Sequence, residues 1–301
     1  MKCINKWICL SLLIAVSCVS GCGKTSAAIE QPYDVYATAA DFGLSSNGTA
    51  EAKSYFASDL CVSEDVAIGT DSTDSQVAEG AGTFNLETNT VVYAKNLYER
   101  LYPASTTKIL TAYIVLKYCD DLDAMVTVSE NAVNQASDSS VCNLKAGDVI
   151  RLRDLLYGLM LRSGNDAAVA IAEYISGDVD SFAALMNQEA AAMGATRSHF
   201  VNPNGLPDEN HYTCVYDMYL IFSNAIKNDT FVSIIGTTSY DVTYTDASGE
   251  AVTHTWENTN QYLTGNATTP DGFQIVGGKT GTTGEAGYCL VLYSYNPSGQ
   301  P

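Results

Sequence analysis

Glu99-Arg100-Leu101-Tyr102-Pro103-Ala104-Ser105-Thr106-Thr107-Lys108 is the stretch on which the reading of this chain turns. Pro103 stands where a helix would start. Ile109, Leu110, Tyr113, Ile114 and Leu116 then follow too densely for a surface helix, which predicts a central helix over 105–117. Residues three apart share a helix face, so Lys108 would stack one turn beyond Ser105 and point the same way. A serine hydroxyl is a weak nucleophile at neutral pH and needs a base within hydrogen-bond reach. The Ser105 N–H is among the donors left without a helical partner by the first turn, so it could bind a developing oxyanion. These are the parts of an acyl-transfer site.

Two further runs lie downstream. Lys279-Thr280-Gly281 is the only Lys-Thr-Gly in the chain and ends a strand-like run that contains Gly277-Gly278. Glycines there would let a substrate backbone lie against the strand edge. Ser163-Gly164-Asn165 falls in the break between two apolar helical stretches, where the serine hydroxyl and the asparagine amide can enter a cleft. Ser-x-Asn also occurs at 45–47, 129–131 and 294–296. The first precedes the nucleophile, the last follows Lys-Thr-Gly, and Ser129 reads as a helix N-cap.

Around these runs the pattern is α/β. Residues 82–86 and 90–94 alternate about a turn and predict a hairpin. Helices are expected over 151–162, 167–175, 182–193 and 215–226, and strands over 239–244, 251–256, 273–279 and 287–295. The expectation is an antiparallel β-sheet flanked by helices with a helical subdomain, the first and last strands sharing one sheet. With 301 residues and a formal charge of −19, the surface disfavours nucleic acid and anionic lipid as partners.

Residues 1–21 read as an export leader, with Lys2 and Lys6 ahead of an uncharged run. Val19-Ser20-Gly21-Cys22 resembles the lipobox of bacterial lipoproteins, which makes Cys22 the expected lipidation site and the extracytoplasmic face of a bacterial membrane the expected location. Residues 22–55 read as a flexible tether and 56–301 as the domain. Of nine cysteines, Cys61, Cys119, Cys142, Cys214 and Cys289 lie in the domain. Their odd number and wide spacing argue against a disulfide framework or a zinc site, leaving one unassigned disulfide open. Cys289 reads as a small buried hydrophobe. His199, His211 and His254 are scattered and read as non-catalytic, and no metal or cofactor is expected.

Ser105-x-x-Lys108, Ser163-x-Asn165 and Lys279-Thr280-Gly281, in that order, resemble the motif set of the penicillin-recognising serine enzymes. Asn202-Pro203-Asn204-Gly205-Leu206, His211-Tyr212-Thr213 and Glu285-Ala286-Gly287-Tyr288 narrow the resemblance to the D-alanyl-D-alanine carboxypeptidases of serine peptidase family S11. The resemblance implies a serine β-lactamase/penicillin-binding-protein transpeptidase-like fold. It implies an acyl-enzyme on Ser105, with Lys108 as base and Ser163 and Asn165 relaying a proton and holding the substrate amide. Lys279, Thr280, Gly281 and Thr282 would bind the substrate, Thr280 and Thr282 through its terminal carboxylate. The partners implied are peptidoglycan stem peptides ending in D-Ala-D-Ala, with β-lactams as covalent inhibitors, and no cofactor.

Two departures from the family pattern stand out. No arginine follows Arg197, and Asn258-Thr259-Asn260 occupies the stretch where some relatives place one for the carboxylate. The chain ends in a turn at Pro301, where the family fold continues with a strand and a helix, so an incomplete C-terminus is expected. A class A-like β-lactamase is an alternative, although no Glu-x-x-Leu-Asn run lies between Ser163 and Lys279. A non-catalytic lipoprotein that binds penicillin or stem peptides is another.

Overall fold

The computed structural model describes residues 57, 59–69 and 78–301, of which Leu60–Pro301 form one compact unit. The leader, Cys22 and the tether lie outside the described residues. The unit opens with a hairpin, β1 (Ala81–Asn85) and β2 (Thr90–Lys95). A single 3-10 turn over Ala104–Thr107 then leads into α1 (Lys108–Tyr118). Strand β3 (Met125–Thr127), α2 (Glu130–Val133) and β4 (Val149–Arg151) come next, followed by α3 (Leu152–Leu161), α4 (Asn165–Ser176) and α5 (Val179–Ala192). After α6 (Val215–Ala225) and α7 (Asp229–Ile235) the chain returns to strands β5 (Ser239–Thr245) and β6 (Ala251–Glu257). A short α8 (Gln261–Thr264) precedes the closing hairpin of β7 (Gln274–Thr283) and β8 (Gly287–Tyr295).

Every strand pair among the described residues is antiparallel, as expected. The ladders are β1-β2, β3-β4-β5-β6 and β7-β8. The first and last strands therefore do not share a ladder among these residues, contrary to expectation. Near them the Leu86 N–H donates to the Pro301 carbonyl at 3.0 Å and the Asn85 amide donates to Gln300 Oε1 at 3.1 Å.

The apolar core is helical. Ile109, Leu110, Ile114 and Val115 of α1 pack with Leu155, Leu156 and Leu159 of α3 and with Ala168 and Ile171 of α4, all buried. Helix α1 is buried nearly all round because its sequence is apolar nearly all round. Side chains close several helix starts: the Ser129 hydroxyl accepts from the Ala132 N–H, Asp178 from Ser181, and Asn228 from Thr230 and Phe231. The Ser129 cap agrees with its reading from sequence.

Two boundaries differ from expectation, and both fall on the motifs. Ser105 sits on the 3-10 turn, with Lys108 as the first residue of α1. The strand that holds Lys279-Thr280-Gly281 continues to Thr283, so the motif lies inside β7, where Gly287–Tyr295 pair with it residue by residue. The five cysteines of the unit form no disulfide, and Cys289 is half-buried rather than buried.

Candidate active site

The turn that carries Ser105 is shaped by what presses on it. Ala104 has φ +47°, a left-handed conformation that costs energy for a residue with a Cβ and is kept only where the surroundings impose it. On one side stands the Asn202–Leu206 loop. Its Gly205, at φ +89°, lies so close that a Cβ there would come within 1.8 Å of the Ala104 carbonyl oxygen. On the other side runs β7, where a Cβ at Gly281 would come within 2.9 Å of the Ser105 amide nitrogen. Both glycines make room for the nucleophile turn.

Lys108 is fully buried, and its amine has three oxygen neighbours: Ser105 Oγ at 2.9 Å, Asn165 Oδ1 at 2.8 Å and the Asn204 carbonyl at 2.6 Å. Two of these oxygens only accept. A neutral amine has two hydrogens and one lone pair, so it can donate to Asn165 and Asn204 and receive the Ser105 O–H on the lone pair. Burial, and then the charge of Lys279, hold the Lys108 amine well below the usual lysine range, which favours this neutral form. Asp166 and Cys142 pull the other way. The arrangement is a base aimed at a hydroxyl that is itself half-exposed.

Ser163 and Asn165 occupy the break between α3 and α4. Ser163 adopts φ +60°, which turns its buried hydroxyl toward β7. There it accepts from Lys279 Nζ at 3.0 Å, and the same amine donates to the Thr280 carbonyl at 2.7 Å. Lys279 is buried too, and burial draws its pKa down to about 7. The segment is anchored from below by Asp166, whose carboxylate accepts from the Cys142 N–H at 2.9 Å and the Leu144 N–H at 3.1 Å. The Asn165 N–H donates to the Ser140 carbonyl at 2.8 Å.

The sequence-derived residues thus form one connected set. Ser105 meets Lys108, Lys108 meets Asn165, Asn165 is two residues from Ser163, and Ser163 meets Lys279. Gly281 lies against the Ser105 amide. The two threonines are placed differently from each other. The Thr280 hydroxyl pairs with that of Thr259 at 2.6 Å, whereas the exposed Thr282 hydroxyl donates to the Gly281 carbonyl at 2.7 Å.

Several participants were not legible as such. The Asn204 contact is made by a backbone carbonyl, and Asn-Pro-Asn-Gly announces only a turn. His211 was read as non-catalytic, and its geometry fits a supporting part. Its Nδ1 lies 3.1 Å from the Val201 N–H and accepts from it, so Nε2 carries the proton and donates to Thr107 Oγ1 at 2.9 Å. Burial lowers its pKa to about 4, which keeps it neutral. His211 therefore ties the nucleophile turn to Val201, the residue just ahead of the Asn202–Leu206 loop.

Residues 69–297 match the sequence profile of Peptidase_S11, D-alanyl-D-alanine carboxypeptidase. The D-alanyl-D-alanine carboxypeptidase DacF of Bacillus subtilis is 35% identical over 219 residues, which cover 71% of this chain and 53% of the relative. The chain thus spans about half the length of that relative. A D-alanyl-D-alanine carboxypeptidase of Streptomyces sp. strain K15 is 37% identical over 225 residues, covering 71% of this chain and 75% of the relative. The crystal structure of the Streptomyces K15 DD-transpeptidase superposes with a TM-score of 0.68 at 35% identity, over 74% of this chain and 86% of that one.

Proposed function

This chain belongs to the S11 family of D-alanyl-D-alanine carboxypeptidases, and on that footing we propose that it removes the terminal D-alanine from peptidoglycan stem peptides through an acyl-enzyme on Ser105. The observation that carries the reading is the Lys108 amine, whose two acceptor-only partners leave its lone pair for the Ser105 O–H.

In the first half-reaction Lys108 Nζ takes the Ser105 proton as Oγ bonds to the penultimate D-alanine carbonyl carbon. Negative charge gathers on the carbonyl oxygen, where the Ser105 N–H and the N–H of Thr282 serve as donors. The C–N bond then breaks: the Ser163 hydroxyl hands its proton to the departing amine while Lys279 stabilises the oxygen, and the proton that Lys108 took from Ser105 passes on to Ser163, which leaves Lys108 neutral again. In the second half-reaction water attacks the ester, gives its proton to Lys108, and Ser105 leaves with that proton. The sum is one peptide bond and one water converted to a carboxylic acid and D-alanine. A β-lactam follows the first half and stays attached, since its amine leaving group remains tethered.

The same acyl-enzyme can be taken by an amine instead of water, and the likeness to the Streptomyces K15 DD-transpeptidase favours keeping that second reading. Release of D-alanine from diacetyl-Lys-D-Ala-D-Ala, lost in Ser105→Ala, tests the hydrolytic reading. Appearance of a new peptide bond when glycine is added would identify transfer. Rapid turnover of a fluorescent penicillin would indicate a β-lactamase, and a persistent label the carboxypeptidase. Cys22 and the apolar leader support lipid anchoring outside the cytoplasm. Retention of palmitate label in the wild type, absent from Cys22→Ala, tests that proposal.

A further inference from the structure

Thr259 lies between two buried neighbours and is itself exposed. Asn258 is 7% exposed and donates from its amide to the Thr237 carbonyl at 2.9 Å. Asn260 is 1% exposed, and its side chain accepts from the Tyr262 N–H at the start of α8. The two asparagines are joined, since Asn258 Oδ1 accepts from the Asn260 N–H at 2.9 Å. The Thr259 N–H donates to the Leu161 carbonyl at the end of α3, two residues before Ser163. This bracing fixes one outward side chain. The Thr259 hydroxyl ends 2.6 Å from that of Thr280, beside Lys279.

Two hydroxyls at that distance satisfy one hydrogen with each other and keep the second for an incoming acceptor. The Lys279 ammonium, held by Ser163 and the Thr280 carbonyl, lies next to the pair and adds positive potential. Hydroxyl donors next to a buried cation suit a carboxylate, which accepts without donating.

We propose that Thr259 is a substrate-binding residue, forming with Thr280 a two-hydroxyl seat for the carboxylate at the end of the scissile peptide. This rests on the carboxypeptidase reading above and extends the seat beyond β7 to the segment ahead of α8. Substrate enters by turning both hydroxyls from each other toward its carboxylate oxygens.

The test compares wild type, Thr259→Val and Thr259→Ser on diacetyl-Lys-D-Ala-D-Ala and on the same peptide with a C-terminal amide. Valine keeps the shape and removes the hydroxyl at an exposed position. A hydrogen bond to a charged group supports an expected tenfold or greater fall in kcat/KM for the acid peptide, expressed mainly as a higher KM. The amide peptide should lose less than twofold, and serine should restore the acid peptide. Wild-type kinetics in Thr259→Val would overturn the inference, and so would equal losses on both peptides. No D-alanine release and no penicillin labelling in the wild type would instead overturn the underlying reading, and this one with it.

Discussion

Two lysines are buried within one network, and their surroundings differ in kind. Lys108 opens a helix and meets a hydroxyl, an amide oxygen and a backbone carbonyl, while Lys279 sits in mid-strand with a hydroxyl and one carbonyl. Lys108 carries the second lysine's charge as an added reason to lose its proton. For Lys279 burial alone draws the pKa to about 7, which leaves it partly charged at neutrality. Burying an unpaired ammonium costs several kcal/mol, and the protein resolves this by giving the two amines different protonation states. One becomes a base, the other a cation that can meet an anion.

The largest effect should come from the base. Lys108→Ala is expected to lower the rate of acylation by penicillin by about 10³–10⁴-fold and to leave the helical circular dichroism intact. Gly281→Ala is next. The new methyl would meet the Ser105 amide nitrogen at 2.9 Å, and displacing one oxyanion donor typically costs roughly 10²–10³ in turnover. An unchanged kcat in that variant would show that the turn yields and that the donor is dispensable.

Acidity should separate the two lysines. Activity needs Lys108 neutral, so kcat/KM should fall as acid protonates it. Binding a carboxylate needs Lys279 charged, so KM should rise as pH climbs through about 7. Lys279→Arg, whose guanidinium does not titrate here, should abolish that rise. Stability offers a second reading of the same group. Its folded pKa lies below the unfolded value of 10.5, so between about pH 7 and 10 the unfolded chain binds more protons and stability climbs with pH. The urea midpoint should climb less over that window in Lys279→Met than in the wild type.

Smaller effects lie further out. His211→Phe strands the Val201 N–H and the Thr107 hydroxyl and should destabilise by about 1–3 kcal/mol in urea titrations. Asp178→Ala removes the α5 cap, whose partner is Ser181 and not a site residue, and should cost about 1 kcal/mol with kcat unchanged.

The contrast also explains what could be read from sequence. The central helix, the first hairpin and the Ser129 cap were legible because apolar spacing and cap chemistry are local. The Ser105–Lys108 pairing survived a wrong detail: a 3-10 turn brings residues three apart into line as readily as an α-helix does. Lys279 was placed at a strand end because Thr and Gly read as a turn, whereas nine pairings with β8 carry the strand past them. The Asn204 carbonyl and the Thr259 hydroxyl left no local trace, because both matter through contacts with residues distant in the chain.

The central claim is that a neutral Lys108 activates Ser105. Intact-protein mass spectrometry after mixing with benzylpenicillin, across pH, tests it most directly for wild type and Lys108→Met. The account predicts one penicilloyl adduct on the Ser105 peptide, forming more slowly as the pH drops and scarcely at all in the methionine variant. An adduct on another residue, or equal acylation rates with and without the amine, would contradict it.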